Sequence, residues 1–530
     1  MGGEKQVGRV AYKSEGVNEE DFASGLHMSV GVVHLPHLLH NKGVLEETST
    51  AAMAKSLLAF RDDGREGEAD SNEEVRNKVA ASLKAELLAV VKADAYGHGA
   101  VRVSSFLSTS GVTDFAVAQV KEGIELRREK AVRVTDSILV FAPPVPSSLP
   151  LYHTYSLSAA VSSLFHAKAI VEAAERDHLL LRCHVCFDGG MGRVGARSIS
   201  EIVAIVQELK SSENKRKKRG GQDGEGWGVV MEGVFSHYPS ADDPSCPQTH
   251  EQWRRNRRVL EEIEKVYSFP LLHFSNSAGS LLLSPLPFPT STSFLSSFLP
   301  SAGTQQRRVL IRSGISLYGT LGSEEVAVNF PLLPCMQLFS TVTFVKVVNK
   351  GTKVSYGGTW VAKRRTGIAT IAVGYADGYR RMLSYSSPSA DSGGEDEGDS
   401  DDERRQRWKR EGRAYVGING HSYAVVGRVC MDAIMVEIPL PADSSVSGGA
   451  EGSAADGAVE AERWEEDAAG EGIYTCGEIG GVKVGDRVAL FSHDPADACP
   501  TLFDFAQLCQ TITYEVTCAL TNRVERVYRG

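Results

Sequence analysis

The sequence predicts an α/β architecture in its first half, a βα-repeating parallel sheet or barrel, followed by a predominantly β domain. Three observations carry that expectation. Apolar runs alternate with amphipathic stretches up to about residue 330, short β-branched runs with glycine-rich turns take over from about residue 331, and polar or biased stretches interrupt both parts. At 530 residues, 42% of them hydrophobic, the chain is long enough for two or more domains.

In chain order, LLAVV (87–91) runs into a glycine-containing turn, and DFAVA (114–118) precedes the helix-like VKEGIELRREK. SILVFAP (137–143), LLLRCHVCF (179–187) and GVVMEGVF (228–235) repeat the pattern, each with an amphipathic stretch nearby. The later strands expected are STVTFVKVV (340–348), TGIATIAV (366–373), YAVVGRVCM (423–431) and RVALF (487–491).

Four stretches read as surface insertions: 211–226, 284–306, 386–410 and 441–471. Residues 386–410 set eight carboxylates ahead of five basic residues, and 441–471 hold nine carboxylates and one Arg. Such compositions bury too little apolar surface to offset ordering entropy, so mobile loops are expected there, and a poorly ordered leader over 1–27. The run Lys215–Arg219 has the composition of a nuclear localisation signal, but a solvated loop is the simpler expectation.

A formal charge of −10 gives no electrostatic reason to expect nucleic acid or an anionic membrane as principal partner. No stretch reaches the roughly 18–20 uninterrupted apolar residues of a spanning helix; the most apolar region, Leu281–Leu299, is broken by Pro285, Pro287 and Pro289. The first residues lack an apolar signal core, and Gln6 breaks the myristoylation pattern. Nine scattered cysteines suit a reducing compartment, so a cytoplasmic protein is expected, with small molecules as its default partners. Cys183 and Cys186 form a C-x-x-C, but residues three apart on a strand face opposite ways and no second pair follows, so no metal is expected.

The most informative peptide is VVKADAYGHGA (90–100). Lys92 ends a buried strand and leads into a turn, which in a βα barrel places its amine at the C-terminal rim where active sites lie. A lysine desolvated there is a candidate Schiff-base nucleophile; one snorkelling at a strand end is the plainer alternative.

The longer string AVVKADAYGHG resembles the pyridoxal 5′-phosphate (PLP) attachment motif of the alanine racemase family. The resemblance continues in order through MGRVG (191–195), FSHYPSAD (235–242), HFSNSA (273–278), RSGISLYG (312–319), VSYGGTW (354–360), AVGYADGYRR (372–381), VGRVCMD (426–432) and TITYEV (511–516). It implies a fold-type III arrangement: a PLP-binding (β/α)8 TIM-type barrel over 28–330 and a C-terminal β domain over 331–530.

It also implies residue roles. Lys92 would form the internal aldimine, with Tyr96, Ser277, Tyr514 and the backbone at Gly314 and Ile315 around the cofactor phosphate. His237 would lie near the cofactor ring, Arg312 would face the pyridine nitrogen, and His273 would orient Arg312. Lys92 and Tyr356 would be the two bases, Tyr356 reaching the barrel of a second copy in a head-to-tail homodimer. Arg193 and Met431 would meet the substrate carboxylate, Tyr375 would narrow the entrance, and Asp242, Arg381 and Arg428 would ring the channel. The reaction implied is interconversion of L- and D-alanine.

Two positions depart from the family. Cys186 stands where many members carry a carbamylated lysine, and a thiol cannot supply that negative charge. Either a chloride-like anion beside Arg193 or a looser Arg193 is therefore expected. His34 stands where the family commonly has Asp. Competing readings are a racemase of serine or of several amino acids, a decarboxylase of the same fold, and a non-catalytic PLP-binding protein. The β domain with Tyr356, Tyr375 and Met431 argues against the last.

Overall fold

The computed structural model describes residues 28–59, 69–219, 226–284, 286–287, 292–299, 306–322, 329–385, 400–440, 474–475 and 477–530. The chain divides into two compact units: His34–Cys335, and Met336–Arg529 together with the described residues up to Val33.

In the first unit eight parallel strands close into a barrel: Ala85–Val90, Asp114–Val117, Ser137–Val140, Ser158–Val161, Leu180–Cys186, Gly228–Phe235, Leu271–His273 and Arg308–Ser313. Leu88 pairs in register with Asp114 on one side and with Arg312 of the last strand on the other, which seals the ring. The strands read as near-continuous apolar runs because both of their faces are covered. Three of them escape a periodicity reading: Ser158–Val161 (SAAV) holds only one large apolar residue, Leu271–His273 has only three residues, and Arg308–Ser313 carries an arginine at each end of its apolar centre.

The second unit is antiparallel. Its sheet runs Thr366–Ile371, Ile434–Ile438, His421–Val426, Tyr415–Ile418, Arg487–Phe491, Met336–Val348, Ser29–His34 and Glu525–Arg529. The long strand Met336–Val348 pairs with Arg487–Phe491 through its first half and with Thr366–Ile371 through its second, so the path returns on itself.

The expected boundary assigns residue 28 onward to the barrel. Ser29–Val33 instead pair antiparallel with Met336–Ser340, so this strand belongs to the β unit, a pairing over some 300 residues that no local pattern announces. The strand expected at 423–431 ends at Val426, because Gly427 turns the chain at φ 73° and leaves Arg428–Met431 in a loop.

Parts of the expected insertions are structured. Residues 211–219 continue the helix Ile199–Arg219. Glu213 is buried there; its carboxylate accepts from the Met231 amide (3.0 Å) and the Tyr267 hydroxyl (2.9 Å), and the Arg219 guanidinium lies 3.6 Å from the Trp227 ring centre. The basic run is therefore helical, with Arg216 donating to the Val229 carbonyl (3.2 Å), Lys217 paired with Glu213 one turn back (2.9 Å) and Arg219 paired with Glu175 (2.9 Å). Phe294, Leu295 and Phe298 are buried at and beside the short helix Thr292–Ser296. Residues 401–411 form a helix that Ser400 and Glu403 start with a capping box and Gly412 ends at φ 66°, with Trp408 buried. The expectations for 1–27, 220–225, 386–399 and 441–471 lie outside the described residues. Among the described residues no helix is long and apolar enough to cross a membrane.

Candidate active site

In the barrel unit the expected site residues lie at the C-terminal ends of strands one, five, six, seven and eight, the rim on which barrel enzymes build their sites. Lys92 follows the first strand and is half-buried. Behind it Ala93, Asp94, Ala95 and Tyr96 all adopt left-handed backbone, φ 52–54°. Such a conformation costs L-residues about 1–2 kcal/mol each, so the turn persists only because its surroundings hold it. The Gly99 amide donates to the Asp94 carbonyl (2.9 Å), the Ala100 amide to the Asp94 side chain (2.7 Å), and the Tyr318 hydroxyl to the Val90 carbonyl (3.1 Å). The His98 and Tyr318 rings stack at 4.5 Å.

Tyr96 is buried against the segment after the last strand: a Cβ on Gly314 would collide with the Tyr96 hydroxyl. The Gly314 amide donates to Ser277 Oγ at 3.1 Å, and Ile315 opens the short turn that follows. Hydroxyls and backbone amides of Tyr96, Ser277, Gly314 and Ile315 thus share one corner of the rim.

Arg312 is 4% exposed. Its guanidinium donates to the carbonyls of Ser236 (2.6 Å), Phe274 (3.0 Å) and His273, with His237 Nδ1 at 3.4 Å and His273 Nδ1 at 3.3 Å. Burial pulls its pKa down to about 10, which leaves it charged at neutral pH. The same burial, helped by the cations of Arg312, Arg193 and Lys92, lowers His237 to about 3. His273, fully buried, is held far below its ordinary value by desolvation and then by His184 and Arg312. Both rings are neutral around a permanent cation.

Arg193 is exposed on the loop after the fifth strand, where Asp188 accepts from the amides of Gly190 (2.8 Å) and Gly192 (3.1 Å). Cys186 is buried at the end of that strand, and burial pushes its thiol up to about 12 against the opposing pull of Arg312 and Arg193. It is therefore a neutral thiol beside two arginines. Asp242 is exposed on the loop following the sixth strand.

The other expected residues lie in the β unit. Tyr356, 68% exposed, sits in a tight turn in which Ser355, Gly357 and Gly358 all have positive φ. Ser355 Oγ donates to the Arg428 carbonyl (2.6 Å), fastening this turn to the Gly427–Met431 loop. The amides of Tyr375 and Ala376 donate to the carbonyls of Cys430 and Met431, both at 3.1 Å. The Val429 amide donates to Ser384 Oγ at 3.0 Å, bringing the Arg381–Leu383 turn alongside. Tyr356, Tyr375, Arg381, Arg428 and Met431 are thus carried on interlocked loops. Tyr514 lies on the helix Thr513–Cys518, which Glu515 ties to Arg380 at 2.7 Å.

Sequence reasoning missed two residues. His184 shares a strand face with Cys186 and brings Nδ1 within 2.9 Å of His273 Nε2; its period-2 spacing from Cys186 was the available signal. Glu122 accepts from the Ala93 amide at 2.8 Å, a contact to which no local signal points.

Comparison with known proteins covers both units. Residues 70–292 match the alanine racemase N-terminal domain, and residues 335–469 and 473–528 match the alanine racemase C-terminal domain. The alanine racemase 1 of Clostridium acetobutylicum is 30% identical over 445 residues, 84% of this chain and 89% of that protein. The alanine racemase of Halothermothrix orenii is 28% identical over 445 residues, 84% of this chain and 90% of that protein. Among solved structures, alanine racemase from Clostridium difficile superposes with a TM-score of 0.61 at 25% identity, covering 95% of this chain and 96% of that one. A Bartonella henselae alanine racemase with covalently bound pyridoxal phosphate shares the fold at a TM-score of 0.59 and 19% identity, covering 95% of this chain and 99% of that one. With matches across both units, the chain belongs to the alanine racemase family.

Proposed function

We propose that the chain interconverts L- and D-alanine with PLP bound through Lys92 and with Lys92 and Tyr356 as the two bases. The observation that carries the reading is the rim on which the Lys92 turn, the Tyr96–Ser277–Gly314 corner and the buried Arg312 come together. Its donor set fits the cofactor: an amine for an aldehyde, and hydroxyls and backbone amides for a dianionic phosphate, with no Cβ on Gly314 to fill the corner. When bound, the cofactor withdraws electrons from the substrate Cα.

This chain's residues do the rest. Arg312, locked by three carbonyls and still charged, disfavours protonation of any basic nitrogen set against it, which weakens the electron sink and calls for bases already in place on both faces of Cα. Lys92 moves the proton on one face. Tyr356, exposed on its glycine-rich turn, is available to serve the other face in the barrel of a second copy, so we infer a head-to-tail homodimer. Arg193 and the Met431 backbone bind the substrate carboxylate. Tyr375 restricts the Cα substituent to a methyl group, and Asp242, Arg381 and Arg428 line the approach. Tyr514 completes the phosphate-binding set.

Purified protein incubated with L-alanine in deuterated water tests the reading. Loss of optical activity with deuterium entering Cα is expected; release of carbon dioxide, or no turnover with PLP bound, would refute it. Lys92→Ala should abolish the cofactor's absorbance band in the bound state. Tyr356→Phe should keep the band and impair proton removal from one enantiomer only.

A further inference from the structure

We infer that Glu122 is a positioning residue for Lys92, holding the peptide that follows the lysine against the neighbouring barrel strand. Glu122 is the third residue of the helix Val120–Arg128 and closes a capping box with Gln119, accepting from the Gln119 amide at 2.8 Å. A capping box needs no more than that. Here the same oxygen, Oε2, also accepts from the Ala118 amide (2.8 Å), and the other oxygen, Oε1, accepts from the Ala93 amide (2.8 Å). One carboxylate therefore joins the end of the second barrel strand to the first residue after Lys92.

The position of that bond gives it its effect. Ala93 is the first of the four left-handed residues, and its amide belongs to the peptide plane that leaves Lys92. A run that costs several kcal/mol relative to right-handed backbone relaxes unless both of its ends are held. The Gly99 amide on the Asp94 carbonyl and the Ala100 amide on the Asp94 side chain hold the far end; Glu122 holds the near one. Fixing that plane fixes the direction in which the Lys92 side chain departs, and a base displaced by about 1 Å loses up to about 100-fold in rate.

The inference rests on Lys92 acting as a base, and Glu122→Asp separates it from a plain helix cap. An Asp is one methylene shorter: it can still cap Gln119 but cannot also reach Ala93. In the holoenzyme, hydrogen exchange over Lys92–Gly99 should quicken by about tenfold while the melting temperature stays within a few degrees. The kcat for alanine should fall by about tenfold with KM within about twofold. The primary isotope effect with Cα-deuterated alanine should rise only in the direction in which Lys92 takes the proton, the one that Tyr356→Phe spares. Glu122→Gln, which turns an amide NH2 toward one of the donors, should behave likewise if the Asp variant is poorly folded. Wild-type exchange and wild-type isotope effects in both variants overturn the inference, as does an isotope effect that rises equally in both directions. If the unmodified protein does not racemise alanine, the proposed function fails, and exchange at Ala93 still decides the role of Glu122 as a clamp.

Discussion

His273 Nε2 lies 2.9 Å from His184 Nδ1 inside the barrel, and this contact joins the rim to the core. Above it His273 borders Arg312; below it His184 Nε2 is 3.5 Å from Glu232, which also meets Arg182 (2.9 Å) and Ser158 (2.6 Å). A cation at the rim is thus backed by two imidazoles before the first carboxylate appears.

Acid should unfold the protein through His273 and His237. His273 and His237 have folded pKa values depressed below the ordinary 6.5, so the unfolded chain takes up protons that the folded one refuses. Stability is full above about pH 6.5 and falls as the pH drops below it, by up to about 1.4 kcal/mol per pH unit for each histidine. Urea unfolding at pH 7, 6 and 5 should show this slope, and His273→Asn should flatten it. An unchanged slope in the variant would remove His273 from the account.

Mixing two inactive proteins should restore activity. If each site draws Lys92 from one copy and Tyr356 from the other, dimers formed between Lys92→Ala and Tyr356→Phe chains hold one intact site. After subunit exchange about a quarter of the wild-type rate is expected. No recovery, with exchange verified by mass labelling, would place Tyr356 in the site of its own chain.

Gly314→Ala should weaken cofactor binding. The added methyl collides with the Tyr96 hydroxyl, and relief displaces Tyr96 or the Ser277-bound amide. Overpacking of this kind costs about 1–3 kcal/mol, or roughly 10- to 100-fold in the PLP dissociation constant. Spectroscopic titration of the cofactor-free variant measures it, and a wild-type constant would show that the corner does not hold the phosphate.

Chloride should tighten alanine binding. The neutral Cys186 thiol gives Arg193 no counter-charge, and a small anion beside it can supply one. The Michaelis constant should drop by at least about twofold on replacing a bulky organic anion with chloride at constant ionic strength. No change would leave Arg193 without an anion partner.

Several features were open to reading in the residues. The strands at 228–235 and 487–491 coincide with their apolar runs, and Lys92 stands at a strand end because LLAVV stops there. A strand of three residues, such as Leu271–His273, carries too few positions to show a period. The 211–219 segment looks like a loop because its composition is polar; it is a helix because Glu213 finds the Met231 amide and the Tyr267 hydroxyl.

By itself the sequence determined the strand–helix alternation of the first part, the two-part architecture and the family, since periodicity, turn residues and motif order are local properties of the chain. Only the tertiary structure decided that Ser29 pairs with Ser340, that His184 reaches His273, and that Glu122 grips the amide after Lys92. Each of these joins residues that closure of the barrel or sheet brings within hydrogen-bond distance. Directional bonds between such residues depend on that closure, and no window of neighbouring residues contains it.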